Sequence, residues 1–349
     1  MSATTARRVM RRAWELLPLG LLAALFLYAV WPWLPLARGQ SRPSVIFYGF
    51  SILGEVMNQA VFPDFQQLWK ERSGQDVEFV SSFAGSGTVT HQLIMGVPAE
   101  LALLSLELDA MRLAREGVTP PESWNRLPHG GVVNRTPFII LVRPGNPRQI
   151  HDFADLTRPG VGVVHPDPLT SGGANWAIVA EYGSAMRRPG ATEEDGHAML
   201  LGIWRNVVAQ AASARAARTQ FENGFGDALI TYEQEAVSDR QRGRLNAEIV
   251  YPRSTISSEH TLVVLEPNVS PATRPVVDAF LEYLWTPRAQ RLFVRHGFRS
   301  VLEELNRDNP EFGRIDDPFL VSDFGGWKKA KETIVDAVWK NRVLREIHP

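Results

Sequence analysis

Thr170-Ser171-Gly172-Gly173 places two hydroxyls and two glycines in four consecutive positions. Before it, Gly160-Val161-Gly162-Val163-Val164 is a β-branched run that reads as a strand. After it, Asn175 to Tyr182 has the apolar spacing of a helix. The tetrapeptide is thus a strand-to-helix loop, with Thr170 or Ser171 a natural N-cap. The first turn of a helix offers N–H groups with no partner inside the helix, at the positive end of its dipole. That is a site for an anion. The glycines let a ligand approach the main chain closely, and a serine hydroxyl adds a donor. An ordinary capped loop has the same composition, so the reading depends on what surrounds it.

The surrounding elements place two more such loops in equivalent positions. Ser44 to Phe50 reads as a first strand, followed by Ser51 as N-cap of a helical pattern through Val61, Phe65 and Trp69 that ends at Gly74. Asp76 to Val80 reads as a second strand. The small-residue loop Ser81 to Thr88, which contains Ser86, leads into a helix over Val89 to Met95. Leu101 to Leu106 is a third strand and Leu108 to Glu116 a helix. Strands and helices in alternation specify an α/β chain with a parallel sheet covered on both faces. Ligands of such sheets sit at the carboxyl ends of the strands, where Ser51, Ser86 and Ser171 all fall. Further on, Leu200 to Val208 reads as a helix, and Ala247 to Val250 and Thr261 to Leu265 as strands. Val276 to Leu284, Ala289 to His296 and Trp327 to Val343 read as closing helices.

Composition narrows the function classes. Lys and Arg number 37 against 38 Asp and Glu, so no global basic field supports nucleic-acid binding. Cysteine is absent, which removes disulfides, thiolate metal sites and a lipidated cysteine anchor. Arg7, Arg8, Arg11 and Arg12 precede an apolar run from Leu16 to Ala37. This is the pattern of an export signal, or of a retained membrane anchor, over residues 1–40, with the rest of the chain outside the cytoplasm. Catalysis finds little support. The eight histidines show no metal-ligand spacing, and there is neither a Gly-x-Ser-x-Gly elbow nor a Walker loop. His165 reads as a structural residue. Glu233 and Glu235 read as solvated or hinge-pairing carboxylates on a helix. No cofactor is expected.

A run of motifs resembles the periplasmic sulfate-binding proteins, the solute receptors of sulfate and thiosulfate ABC importers. It comprises Leu141-Val142-Arg143-Pro144-Gly145-Asn146-Pro147, Asp152-Phe153-Ala154-Asp155-Leu156, Pro159-Gly160-Val161 and Ser171-Gly172-Gly173-Ala174-Asn175-Trp176. Gly85-Ser86-Gly87, Gly226-Asp227-Ala228-Leu229-Ile230 and Phe324-Gly325-Gly326-Trp327 extend it. The resemblance implies a type II periplasmic-binding fold. Lobe 1 would be residues 44–136 with 262–349, and lobe 2 residues 137–261, each a mainly parallel sheet flanked by helices, with a ligand cleft between them. It implies a tetrahedral oxyanion as ligand, an ABC transporter permease as partner and a monomeric receptor.

Carried over by position, Ser86 and Ser171 would donate from backbone or hydroxyl, and Ser51, Gly172, Gly173 and Ala214 from backbone N–H. Tyr232 stands where the family has a tryptophan donor, and Ser51 where it has aspartate. Both new groups can accept a proton as well as donate one. The resemblance therefore implies a tetrahedral oxyanion more strongly than sulfate itself. The competing reading is a membrane-anchored sensor or interaction protein on the same two-lobe scaffold, with a changed or lost ligand.

Overall fold

A computed structural model describes residues 21–22, 24–30, 42–307 and 309–348. The chain divides into two compact units, 1–43 and 44–349. In the first, residues 21–22 and 24–30 are helical. Most of the segment expected to direct export lies outside the described residues. Among the described residues no helix is long and apolar enough to cross a membrane.

The second unit begins with β1 (Ser44–Phe50), whose inward-facing Val45 and Phe47 are fully buried. A helical run over 51–73 ends in α1 (Phe62–Ser73), stopped by Gly74 in the left-handed conformation. Then come β2 (Glu78–Ala84), α2 (Ser86–Ile94), β3 (Leu101–Leu104) and α3 (Glu107–Arg115). The long strand β4 (Val132–Val142) leads to β5 (Val163–Pro166) and α4 (Gly172–Met186). The chain continues through α5 (Glu193–Arg205), β6 (Val207–Ala211), α6 (Ala214–Glu222), β7 (Ala228–Tyr232) and α7 (Glu233–Gln241). It returns through β8 (Glu248–Val250), β9 (Ser254–Val264), α8 (Arg274–Leu284) and α9 (Pro287–Arg295). The short strands β10 (Arg299–Ser300) and β11 (Asp317–Phe319) precede a helical run over 326–347.

The sheet order is β2-β1-β3-β9-β4-β7-β5-β6, with β8 and β10 beside β4 and β11 beside β9. Pairing is parallel toward both edges and antiparallel where β4 and β9 enter. β4 changes partner midway: Val132 to Pro137 pair with β9, and Phe138 to Val142 with β7. Its second half is a continuous buried apolar run, as a strand covered on both faces requires.

Three of the boundaries that differ from the sequence reading bear on the site. Ser81 to Ala84 continue β2, because β1 offers them register partners from Phe47 to Phe50. Ser86 accordingly opens α2, with Gly85 at the cap position. Gly172 and Gly173 are not loop residues but the first turn of α4, with Ser171 at the cap. Ser51 is not a cap; Phe50 holds that place and Ser51 opens a short 3₁₀ turn. Two motif tryptophans meet in the core: Trp176 of α4 packs edge-on against Trp327, with ring centroids 4.4 Å apart.

Candidate functional site

Six strands of the sheet, β1, β2, β3, β5, β6 and β7, are each followed by a polar or small residue on the way into a helix or helical turn. Gly85 sits where a β-carbon would lie 2.4 Å from the carbonyl oxygens of both Thr170 and Ala212. The loops after β2, β5 and β6 therefore abut, and only glycine allows it. The Thr170 carbonyl accepts from the N–H groups of Gly87 (3.1 Å) and Thr88 (3.4 Å), while Val89 N–H bonds Gly85 inside the helix. Those bonds leave the Ser86 N–H as the unused first-turn donor of α2. In α4, Ala174 N–H bonds the Ser171 carbonyl at 3.1 Å, which leaves the N–H groups of Gly172 and Gly173. In α6, Ser213 Oγ accepts from Ala216 N–H at 3.1 Å, upstream of which stands Ala214 N–H.

Hydroxyls gather at the same place. A β-carbon at Gly173 would lie 3.0 Å from the Tyr232 hydroxyl and 3.3 Å from Ser171 Oγ; one at Gly172 would lie 2.6 Å from Ser105 Oγ. Ser105, after β3, is the residue that sequence reasoning missed. Its N–H donates to Ser86 Oγ (3.0 Å), its carbonyl accepts from Trp176 Nε1 (2.7 Å), and its hydroxyl pairs with Tyr232 (2.9 Å). The rule that ligands gather at strand ends would have found it, but no glycine flags it. Ser51 is half-buried and is placed indirectly: the ring of Phe50 before it lies 6.1 Å from that of Tyr232.

The Ser86 hydroxyl is engaged. It donates to Asp109 Oδ2 at 2.5 Å while accepting from Ser105 N–H. Of the two donors expected from Ser86, the backbone N–H is therefore the one left for a ligand. Burial pushes the Asp109 carboxyl up to about 6, against the pull of the Ser86 bond, Arg112 and Thr90. Burial also raises the Tyr232 phenol well above its ordinary value, so it remains a neutral hydroxyl. His260, whose ring lies tilted against that of Phe50 with centroids 4.5 Å apart, is pushed down to about 3 by burial and stays neutral.

Cations lie nearby but are matched. Arg215 and Arg218, just after Ala214, pair with Glu235, and Arg218 also with Asp239. Glu233 is gripped by Arg299 through two bonds of 2.8 Å and by Gly313 N–H. Both glutamates are fully buried, so the solvated alternative for them is overturned; the pairing alternative describes them. His165 is buried between the Pro166 carbonyl and Glu181, a structural setting. A cleft of about 330 Å³ opens beside the site, lined in part by Gly87, Asp109, Arg112, Ser171, Gly172 and Lys331.

A sheet threaded twice by long strands, with neutral donors massed at its strand ends, is the architecture of type II periplasmic binding proteins. Residues 55–299 match the model of the bacterial extracellular solute-binding protein family. The sulfate-binding protein of Synechococcus elongatus is 34% identical over 315 residues, covering 88% of this chain and 89% of its own. The thiosulfate-binding protein of Pseudomonas aeruginosa is 30% identical, covering 78% and 83%. The structure of the sulfate-binding protein SubI from Mycobacterium tuberculosis superposes with a TM-score of 0.76 at 28% identity, covering 84% of this chain and 99% of that one. The chain belongs to the sulfate- and thiosulfate-binding family of extracellular solute-binding proteins.

Proposed function

We propose that this protein is an extracytoplasmic receptor that captures a tetrahedral oxyanion, sulfate or thiosulfate, and delivers it to an ABC importer. The observation that carries the reading is the convergence of the first turns of α2, α4 and α6 with the hydroxyls of Ser171 and Tyr232. Dipole ends and preorganised neutral donors stabilise a buried anion without a countercharge. The donors on this reading are the backbone N–H groups of Ser51, Ser86, Gly172, Gly173 and Ala214, the Ser171 hydroxyl and the Tyr232 hydroxyl. The names of the relatives support sulfate and thiosulfate as the ligand class. Residues 44–136 with 262–349 form one lobe on this reading, 137–261 the other, and the segment 1–40 directs export. Deleting the gene in its host should abolish most uptake of labelled sulfate at low external concentration, and restoring the chain should recover it. Unchanged uptake of both sulfate and thiosulfate in the deletion strain would contradict the proposal.

A further inference from the structure

Ser105 Oγ and the Tyr232 hydroxyl lie 2.9 Å apart, and either can donate to the other. Ser105 is 1% exposed and Tyr232 fully buried. Ser105 follows β3 and Tyr232 ends β7, so the pair joins two parts of the sheet that β9 and β4 separate. Both hydroxyls face the first turn of α4, as the distances to Gly172 and Gly173 require. The main chain of the serine is held in place, its N–H by Ser86 and its carbonyl by Trp176.

We infer that the Ser105–Tyr232 pair is a proton-adaptable element of the site, which extends its ligands from fully deprotonated oxyanions to those that carry a proton, hydrogen phosphate being the simplest. This rests on the oxyanion reading above. Two hydroxyls bring two protons, and each oxygen has lone pairs. Their mutual bond uses one proton, and the other is free for a ligand oxygen. If Ser105 donates to Tyr232, the tyrosine proton turns to the ligand; if the bond reverses, the serine proton does. In either arrangement a lone pair remains to accept a ligand proton. An indole at position 232 would only donate. A ligand proton facing it would be buried without a partner, a loss of roughly tenfold or more in affinity. Sulfate has no proton to place at neutral pH, so the exchange leaves it no such unpaired proton.

The test is calorimetric titration of the purified full chain with sulfate and with inorganic phosphate at pH 7, beside the double variant Ser105→Ala/Tyr232→Trp. The wild type should bind phosphate within roughly a hundredfold of sulfate. Whatever its absolute affinity for sulfate, the double variant should widen that ratio by about tenfold or more. Sulfate binding with phosphate refused beyond that margin by the wild type overturns the inference and leaves the receptor reading intact. So does a ratio that is the same in both proteins. Binding of neither anion by the wild type overturns both. Should the double variant lose its cooperative melting, the wild-type ratio alone decides.

Discussion

At the scale of single residues, the site rests on a chain of hydrogen bonds that starts at a buried carboxyl. The Asp109 carboxyl accepts from the Ser86 hydroxyl, Ser86 Oγ accepts from the Ser105 N–H, and the Ser105 hydroxyl shares a bond with Tyr232. This chain fixes the Ser86 hydroxyl, at the cost of keeping one carboxyl buried. Asp109 ordinarily ionises near 3.8 and is raised to about 6 in the fold. The native state therefore holds a proton between those values that the unfolded chain has released. The stability so gained is complete below the unfolded value and is lost as pH rises through about 6. Comparing wild type with Asp109→Asn by urea denaturation isolates this contribution from the other carboxylates. From pH 7 to pH 4 the wild type should gain about 2 kcal/mol relative to the variant. A difference that does not move with pH would mean that Asp109 ionises normally.

Some of these residues were legible in the sequence and others were not, for identifiable reasons. Ser86 and Ser171 stand beside glycines after β-branched runs, a combination with few local explanations. Ser105 lies between Leu104 and Leu106 and carries no such mark; only the tertiary contact with Tyr232 reveals it. Glu233 and Glu235 look like surface charges because their partners Arg299, Arg215 and Arg218 are distant in sequence. Gly172 and Gly173 read as loop because glycine is a poor helix former. Their helical conformation is set by what packs against them.

At the scale of elements, α4 is the piece that organises the site. Its first turn supplies two N–H groups, its cap supplies Ser171, and Trp176 one turn on anchors it to the Ser105 carbonyl and to Trp327. The helix is almost wholly buried, so its register cannot slip without opening the core. Space at its start is the critical quantity. Gly173→Ala places a methyl 3.0 Å from the Tyr232 hydroxyl and 3.3 Å from Ser171 Oγ, where it pushes both donors outward. Sulfate affinity should fall by about tenfold or more, the effect of losing roughly one buried hydrogen bond to a charged ligand. Thermal melting without ligand should change far less. Unaltered affinity would remove the start of α4 from the site. The alternating strand and helix pattern and the strand-end rule were sufficient to place α4 here. The antiparallel entry of β4 and β9 was not, because both strands are apolar runs of the kind a parallel sheet also uses.

At the scale of the whole molecule, the site exists because residues from distant parts of the sheet touch. The Thr170 carbonyl bonds the start of α2, Trp176 bonds the loop after β3, Tyr232 bonds Ser105, and Arg242 pairs with Glu55. A ligand that uses donors from all of them stabilises that arrangement over any in which they part, and a transporter can read the difference. The proposed function requires a tetrahedral oxyanion held by neutral donors. Its most direct test is isothermal titration of the purified protein with sulfate at pH 7, with chloride and acetate as controls. One site should release heat with sulfate, and the controls should release none. The affinity should change little with ionic strength, since fixed dipoles in a dry site are weakly screened. No heat with sulfate or thiosulfate, or an affinity that collapses with added salt, would contradict it.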